Sequence, residues 1–365
     1  MTLLSNPRPL GLRYFLSPRL QSSSIYDLAS ETWRILRWSV LKALALLIYT
    51  AFGHSETADS LLIHVGNILF KPLLPHSSYR GFQSYFDEQP AHLQSYLKLH
   101  PEDRWLSNRA ILDLGSGLGQ YSLALRDAGA KHVTALEYQA RKAEWSRQHL
   151  QTYSNINVVI GSAYDLPFAP AVFDTVFSHT VFEHLADVAL ALSNIRRVLK
   201  PEGDLLLSFN YFHHHGGHHL FPYIHFPWAT WIVNEAALCR FWTRQLSADQ
   251  LANTSAYYSP DTAIRGLDEG DEIHLNKLTF QQFESLVLSC GFQIVSRRPT
   301  SPFARLAPWL RRLSTTLAGC ATGTVYYHLR PLSSPKAANR SANRRHPDSE
   351  TSGRSVLHRE STSTT

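Results

Sequence analysis

From about residue 109 onward, short apolar, strand-like runs alternate with amphipathic segments. The strand-like runs are "AILDLG", "HVTALE", "INVVIG", "FDTVFSH" and "GDLLLSFNYF"; between them lie "YSLALRDAG", "RKAEWSRQHL" and "ALALSNIRRVL". Strands alternating with helical segments of this length predict an α/β fold, a mostly parallel sheet joined by right-handed crossovers. Further on, "LTFQQFESLVLSCG" predicts a helix. "FQIVSRRP" and "GTVYYHLRP" read as two last strands flanking a helical insert, "FARLAPWLRRLSTTLA".

Upstream, "TWRILRWSVLKALALLIYTAF" (residues 32–52) is the most apolar stretch, and its uncharged run extends only from Ala43 to Gly53. That is short of the roughly 20 apolar residues that span a bilayer. Glu31, Arg34 and Lys42 fall within about 80° of one another on a helical wheel. The first expectation is a helix docked on the main domain; the second, favoured by Trp33 and Trp38, is a helix lying in a membrane interface; a span comes third. The pattern divides the chain into a flexible leader (1–26), a helical N-terminal extension (27–104), a main domain (105–330) with an insert at 211–275, and a tail (331–365). The tail has almost no large apolar side chains and is expected to be disordered.

Composition changes this picture little. The 365 residues are 44% hydrophobic, enough for a sizeable core, and the net charge of +6 sits at the ends. Residues 1–26 hold Arg8, Arg13 and Arg19 with no acid, and the last 35 residues carry six cations against Asp348, Glu350 and Glu360. The middle is neutral, which argues against a nucleic-acid-binding core. Cys239, Cys290 and Cys320 are too few and too scattered for a disulfide framework, so a reducing, cytoplasmic setting is expected. The leader lacks the apolar core of a secretory signal.

Chemistry concentrates in "ILDLGSGLGQY" (111–121), where Gly115, Gly117 and Gly119 follow a strand and precede a helix. Glycines there let the chain turn sharply and let a ligand approach the amides at the helix start. A dinucleotide fingerprint would need glycine at position 120, which is Gln120, so a nucleotide-dependent oxidoreductase is disfavoured. Glu137, at the end of the next strand, stands where a carboxylate accepts from both hydroxyls of a ribose. Read structurally, Asp113 is an N-terminal cap and Asp165-Leu-Pro a turn. Arg196, Arg197 and Lys200 read as cations at a helix C-terminus.

Together with "GSAYDLPF" (161–168), "FDTVFSHTVFEHL" (173–185) and "IRRVLKPEGDLLLSF" (195–209), these residues resemble the class I S-adenosylmethionine-dependent methyltransferases, small-molecule (type 11, quinone-biosynthesis-like) branch, over roughly 105–330. The resemblance implies a Rossmann-like seven-stranded sheet with its last strand antiparallel, and S-adenosyl-L-methionine as cofactor. It implies that Asp113, Gly115, Ser116, Gly117 and Gly119 hold the amino-acid end of the cofactor. Glu137 would take the ribose hydroxyls, and Tyr138 would flank the adenine. The branch usually has an aspartate at position 162 for the adenine amino group; here Ser162 stands there, beside Ala163 and Tyr164, with Asp165 able to share that recognition. His179 and Thr180 would line the sulfonium end.

The stretch after the fifth predicted strand, "YFHHHGGHHLFPYIHFPW" (211–228), then reads as a lid. His213, His214 and His215 in succession point in different directions, and no cysteine lies nearby, so no metal is expected. Gly216 and Gly217 suggest a flexible joint. Related methyltransferases resemble this segment in a glycine, a histidine and a Pro-Trp, here Gly217, His218 or His219, Pro227 and Trp228. The expectation is a small, hydrophobic or lipid-like acceptor, contacted by Tyr211, Tyr223 and Trp228 and deprotonated at O, N or C by His218 or His219. His184 is a further catalytic candidate that fits equally as a packing residue of the next helix. The alternative from another class is a cofactor-binding regulatory protein without activity. No nucleic-acid partner is expected; a peripheral membrane contact through 32–52 is.

Overall fold

The computed structural model describes residues 23–70, 105–212, 214, 217, 224–245, 275–300, 309, 312 and 323–332. Met1–Pro331 form one compact unit and Leu332–Thr365 a second. Two helices come first, α1 (Ser23–Phe52) and α2 (Glu56–Phe70). The alternating part follows as β1 (Ala110–Leu114), α3 (Gln120–Asp127), β2 (His132–Glu137), α4 (Ala140–Leu150), β3 (Ile156–Ile160), β4 (Phe173–His179), α5 (Val188–Val198) and β5 (Leu199–Asn210). α6 (Glu235–Gln245), α7 (Phe280–Ser289), β6 (Phe292–Pro299) and β7 (Thr324–Pro331) complete it.

All seven strands form one sheet in the order β3-β2-β1-β4-β5-β7-β6. β1 to β5 pair in parallel, while β7 is antiparallel to both β5 and β6. The Rossmann-like sheet with an antiparallel last strand is therefore what the sequence led one to expect. Its strands read well because β1, β2 and β4 are almost wholly buried, as strands covered on both faces are. β5 begins earlier than expected: Leu199 already pairs with Phe173, and a register shift absorbs the polar residues before Asp204 takes up Thr175. α7 opens on a capping box in which Thr279 and Gln282 satisfy each other's backbone amides.

One core lies beneath the rim formed by the C-terminal ends of the parallel strands, with Leu205, Leu207, Phe209 and Tyr211 all contributing from alternate positions of β5 and just beyond. A separate cluster joins Leu41 and Ala45 of α1, Leu62, Ile63 and Phe70 of α2, and Phe226, Ile232 and Leu238 of the segment after β5. Gly66 of α2 admits the Phe226 ring, since a Cβ there would sit 2.5 Å from it. Thus the N-terminal helices pack on the segment expected to be the lid. Arg37 donates to the Leu69 carbonyl at 2.7 Å, and Tyr49 donates to Asp59 at 2.6 Å, so α1 and α2 run antiparallel.

The docked side of α1 overlaps the arc that carries Arg34 and Lys42, and the apolar residues opposite it stay in solvent. Leu46 is 71% exposed and Leu47 66%. Residues Ile35–Phe52 are long and apolar enough to cross a membrane by length and composition, and only 11% of them are buried. At the other end of the sheet, Asp204 accepts from buried His328 at 2.7 Å and Arg330 at 2.8 Å. Its carboxyl is held below the usual range by these partners although burial works against them.

Candidate functional site

β1 ends in a loop in which Gly115, Gly117 and Gly119 all take positive φ, of 73°, 58° and 82°. At Gly115 no side chain fits, because a Cβ would meet Val181 at 2.4 Å; at Gly117 nothing lies within 4 Å of that position. The loop therefore has one glycine for packing and another that leaves open space over the backbone. Gly115 and Ser116 both donate their amides to the Leu136 carbonyl, at 2.8 and 2.9 Å, fastening the loop to the end of β2.

Glu137 completes that fastening. Its Oε2 accepts from the Gly117 amide at 2.7 Å and its Oε1 from the Gln139 amide at 2.8 Å, with the side chain almost fully buried. Each oxygen keeps a second lone pair for a ligand hydroxyl. Tyr138, next along, is 73% exposed and offers an open ring face. Burial pushes the Lys142 amine on α4 down, and the charge of Glu137 opposes that.

Asp113 lies beneath the loop, where its Oδ2 accepts from the Ser122 hydroxyl at 2.6 Å. Burial raises its carboxyl to about 7; the Ser122 hydrogen bond lowers it and the charge of Glu137 raises it further. Such a carboxyl calls for a cation. Around it, Ser116 Oγ and Gln120 Oε1 are buried and have no partner among the described residues. An open backbone cradle, a buried acid without a counter-charge among the described residues and two orphaned polar atoms fit the amino-acid end of S-adenosylmethionine, which carries an ammonium and a carboxylate. The open Glu137–Tyr138 edge fits its nucleoside.

After β3, Ser162 Oγ accepts the Tyr164 amide at 3.1 Å, and Ser162 and Asp165 form a bridge. Ala163 packs against the core. The Tyr164 hydroxyl accepts the amides of Ala186 at 2.7 Å and Asp187 at 3.3 Å, so its polar end ties this loop to the start of α5. After β4, Ser208 Oγ accepts the Thr180 amide and meets His179 Nδ1, both at 2.9 Å. The His179 ring lies 4.7 Å from Tyr121. Thr180 itself has φ of 52°, a strained conformation for a β-branched residue and one that clusters at functional sites.

His184 closes the short 3₁₀ turn Phe182–His184, its amide bonded to the Val181 carbonyl at 2.9 Å. Its neighbour Glu183 is the residue the sequence reading passed over. Glu183 Oε1 accepts from Asn210 Nδ2 at 2.7 Å, while its buried Oε2 has no partner among the described residues. Burial raises this carboxyl to about 8 against the lowering effect of its hydrogen bonds. Asn276 clamps the same turn, its side chain donating to the carbonyls of Phe182 and Leu185.

Three lid residues sit differently from expectation. Tyr211, taken as a substrate contact, is buried in the core, with its hydroxyl 2.5 Å from that of Tyr327 and its ring against Phe209. Period two would have found this, since Leu207, Phe209 and Tyr211 share one face of β5. Gly217, read as a flexible joint, is held by sterics: a Cβ would meet the Phe212 carbonyl oxygen at 2.1 Å. Trp228 has φ of 52° and packs edge-on against Trp38 of α1, with centroids 5.7 Å apart. His218, His219 and Tyr223 lie outside the described residues, as do most of 303–318.

Residues 112–207 match the profile of a family described as "Methyltransferase domain". An O-methyltransferase of Aspergillus nomiae is 31% identical over 27% of this chain and 45% of its own length. A glycine/sarcosine/dimethylglycine N-methyltransferase of Actinopolyspora halophila is 29% identical over 44% of this chain and 28% of its own. A demethylmenaquinone methyltransferase of Bacillus licheniformis is 29% identical, covering 26% of this chain and 42% of its own. The chain spans less than half the length of each.

Proposed function

With residues 112–207 forming a domain of the class I S-adenosylmethionine-dependent methyltransferases, we propose that the whole chain moves a methyl group from that cofactor to a small, hydrophobic or lipid-like acceptor. The observation that carries this is the pair of amide bonds from Gly117 and Gln139 that fixes the Glu137 carboxylate at the rim, together with the buried Asp113 on β1. When bound, the cofactor supplies a methyl carbon activated by a positive sulfur, which keeps the carbon–sulfur electron pair as the methyl leaves. The 113–119 loop and Glu137 hold the cofactor's two ends, and Tyr138 flanks the adenine. His179 and Thr180 line the end where transfer takes place.

The remaining task is to place an acceptor O, N or C about 3 Å from the methyl and to take its proton. We assign that proton to His218 or His219, with Tyr223 packing on the acceptor, and keep His184 of the Phe182–His184 turn as the further candidate. The location is cytoplasmic, with a peripheral membrane contact through residues 32–52. The test replaces His218 and His219 singly by Gln, using tritiated methyl donor and fractionated cell extract. At least one variant should lose turnover while keeping cofactor affinity; full activity in both refutes the assignment. Cofactor binding with no transfer to any fraction would instead identify a regulatory protein.

A further inference from the structure

We propose that the solvent face of α1 seats flat in the surface layer of an anionic bilayer, and that the protein, held there with residues 224–245 packed on the opposite face of the same helix, takes its acceptor from that bilayer. The second half rests on the methyltransferase reading above; the first does not.

At 100° per residue, Leu36, Val40, Ala43, Leu46 and Leu47 fall in an arc of about 120° diametrically opposite the docked Leu41 and Ala45. The four large side chains among them are 47% to 71% exposed, and Ile35 and Trp33 flank them. Ser39 and Thr50 share that arc, yet each hydroxyl donates to the carbonyl one turn back, Ser39 to Ile35 at 2.9 Å and Thr50 to Leu46 at 2.6 Å. Those hydroxyl protons are already bonded when the face meets hydrocarbon. The cations sit to the side: Arg37 lies over the Trp33 ring and Lys42 over the Trp38 ring, the positions from which long side chains reach lipid headgroups.

Three features select an anionic bilayer surface over other occupants. Arg8, Arg13 and Arg19 precede the helix without an acid among them, a cationic run suited to acidic headgroups. A span is opposed because the docked stripe is covered by α2, whose first turn carries Glu56 and Asp59. On α2, Ile68 too is exposed, at 73%. The helix reaches the lid through Trp38, which packs on Trp228 and Trp231, and through Tyr49, whose hydroxyl lies 3.2 Å from the Ile232 carbonyl. α2 joins in where Asn67 accepts the His225 amide at 2.8 Å. A helix lying in the headgroup layer therefore holds residues 224–245 one helix diameter, roughly 10 Å, above it.

The experiment uses the full chain, vesicles of phosphatidylcholine with and without phosphatidylglycerol, and the double variant Leu46→Glu/Leu47→Glu, with Leu288→Glu on α7 as an exposed control. The parent and the control should co-sediment with the phosphatidylglycerol vesicles, and the double variant should partition at least tenfold less while binding S-adenosylmethionine unchanged. Methyl transfer to a total lipid extract in vesicles should fall at least tenfold in the double variant, and the same extract in detergent should restore it. Equal partition of all three proteins, pelleting that resists carbonate, or a dimer that the double substitution dissociates would overturn the docking. Transfer only to water-soluble fractions would overturn the acceptor half. Absence of any transfer, with docking intact, would refute the methyltransferase reading and leave the docking standing.

Discussion

Replacing Glu137 by Ala removes two functions at once. The Gly117 and Gln139 amides lose an acceptor at 2.7 and 2.8 Å, and the rim loses the lone pairs left for a ribose. Hydrogen bonds to a charged group are worth about 1.5–3 kcal/mol each, and water replaces part of what is lost, so the net penalty on cofactor binding is about 2–3 kcal/mol. At 1.36 kcal/mol per decade this weakens affinity by about 30- to 160-fold. Glu137→Gln should fall between parent and Ala, since an amide oxygen keeps one backbone amide while its NH₂ opposes the other. The assay is calorimetric titration with S-adenosylmethionine at pH 8, with thermal melts by circular dichroism as the folding control. Unchanged affinity in either variant, with a cooperative melt, would refute the role of Glu137 and with it the placement of the nucleoside.

Two further outcomes follow from buried acids. Asp113 titrates at about 7 in the free protein, and an ammonium beside it favours the ionised form, so cofactor affinity should rise with pH to a plateau above 7 and fall by about tenfold per unit on the acid side. Asp113→Asn should flatten this profile in titrations at pH 6 and 8; a parent without pH dependence would rule out the pairing. Glu183 titrates at about 8 in the fold against 4.5 when exposed, so between those values the unfolded chain ionises first and stability drops as pH rises, by up to about 5 kcal/mol. Glu183→Gln removes that loss. Urea unfolding should find it more stable than the parent at pH 8, with the advantage vanishing near pH 4.5; an equal difference at both pH values would show Glu183 ionised in the native state.

Much of the sheet, and the glycine turn and Glu137 at its rim, was legible because their signals are local. β1, the glycines after it and Glu137 lie within 28 residues, and each is set by backbone sterics or strand period. What was misread depends on distant partners. Glu183 looks like a solvated acid until Asn210 and Asn276 enclose its turn. On α1, Arg37 finds the Leu69 carbonyl and Lys42 the Trp38 ring, contacts that no local pattern announces. Tyr211 was assigned by its position in an aromatic run when the strand period placed it in the core.

The antiparallel pairing of β7 determines where change in the chain can be tolerated. Asn210 pairs with Thr324, and the Thr300 amide bonds the Thr324 carbonyl, so the segment after β5 leaves the sheet at the rim that carries Asp113 and Glu137, and the segment between β6 and β7 both leaves and rejoins it there. Residues 300–323 can lengthen, shorten or be exchanged without moving a strand, whereas Tyr211 in the core and Phe226, Ile232 and Leu238 against α1 and α2 tie down the segment after β5. The antiparallel pair thus marks the stretch between β6 and β7 as the place where a chimera can change the surface of this rim at least cost to the sheet.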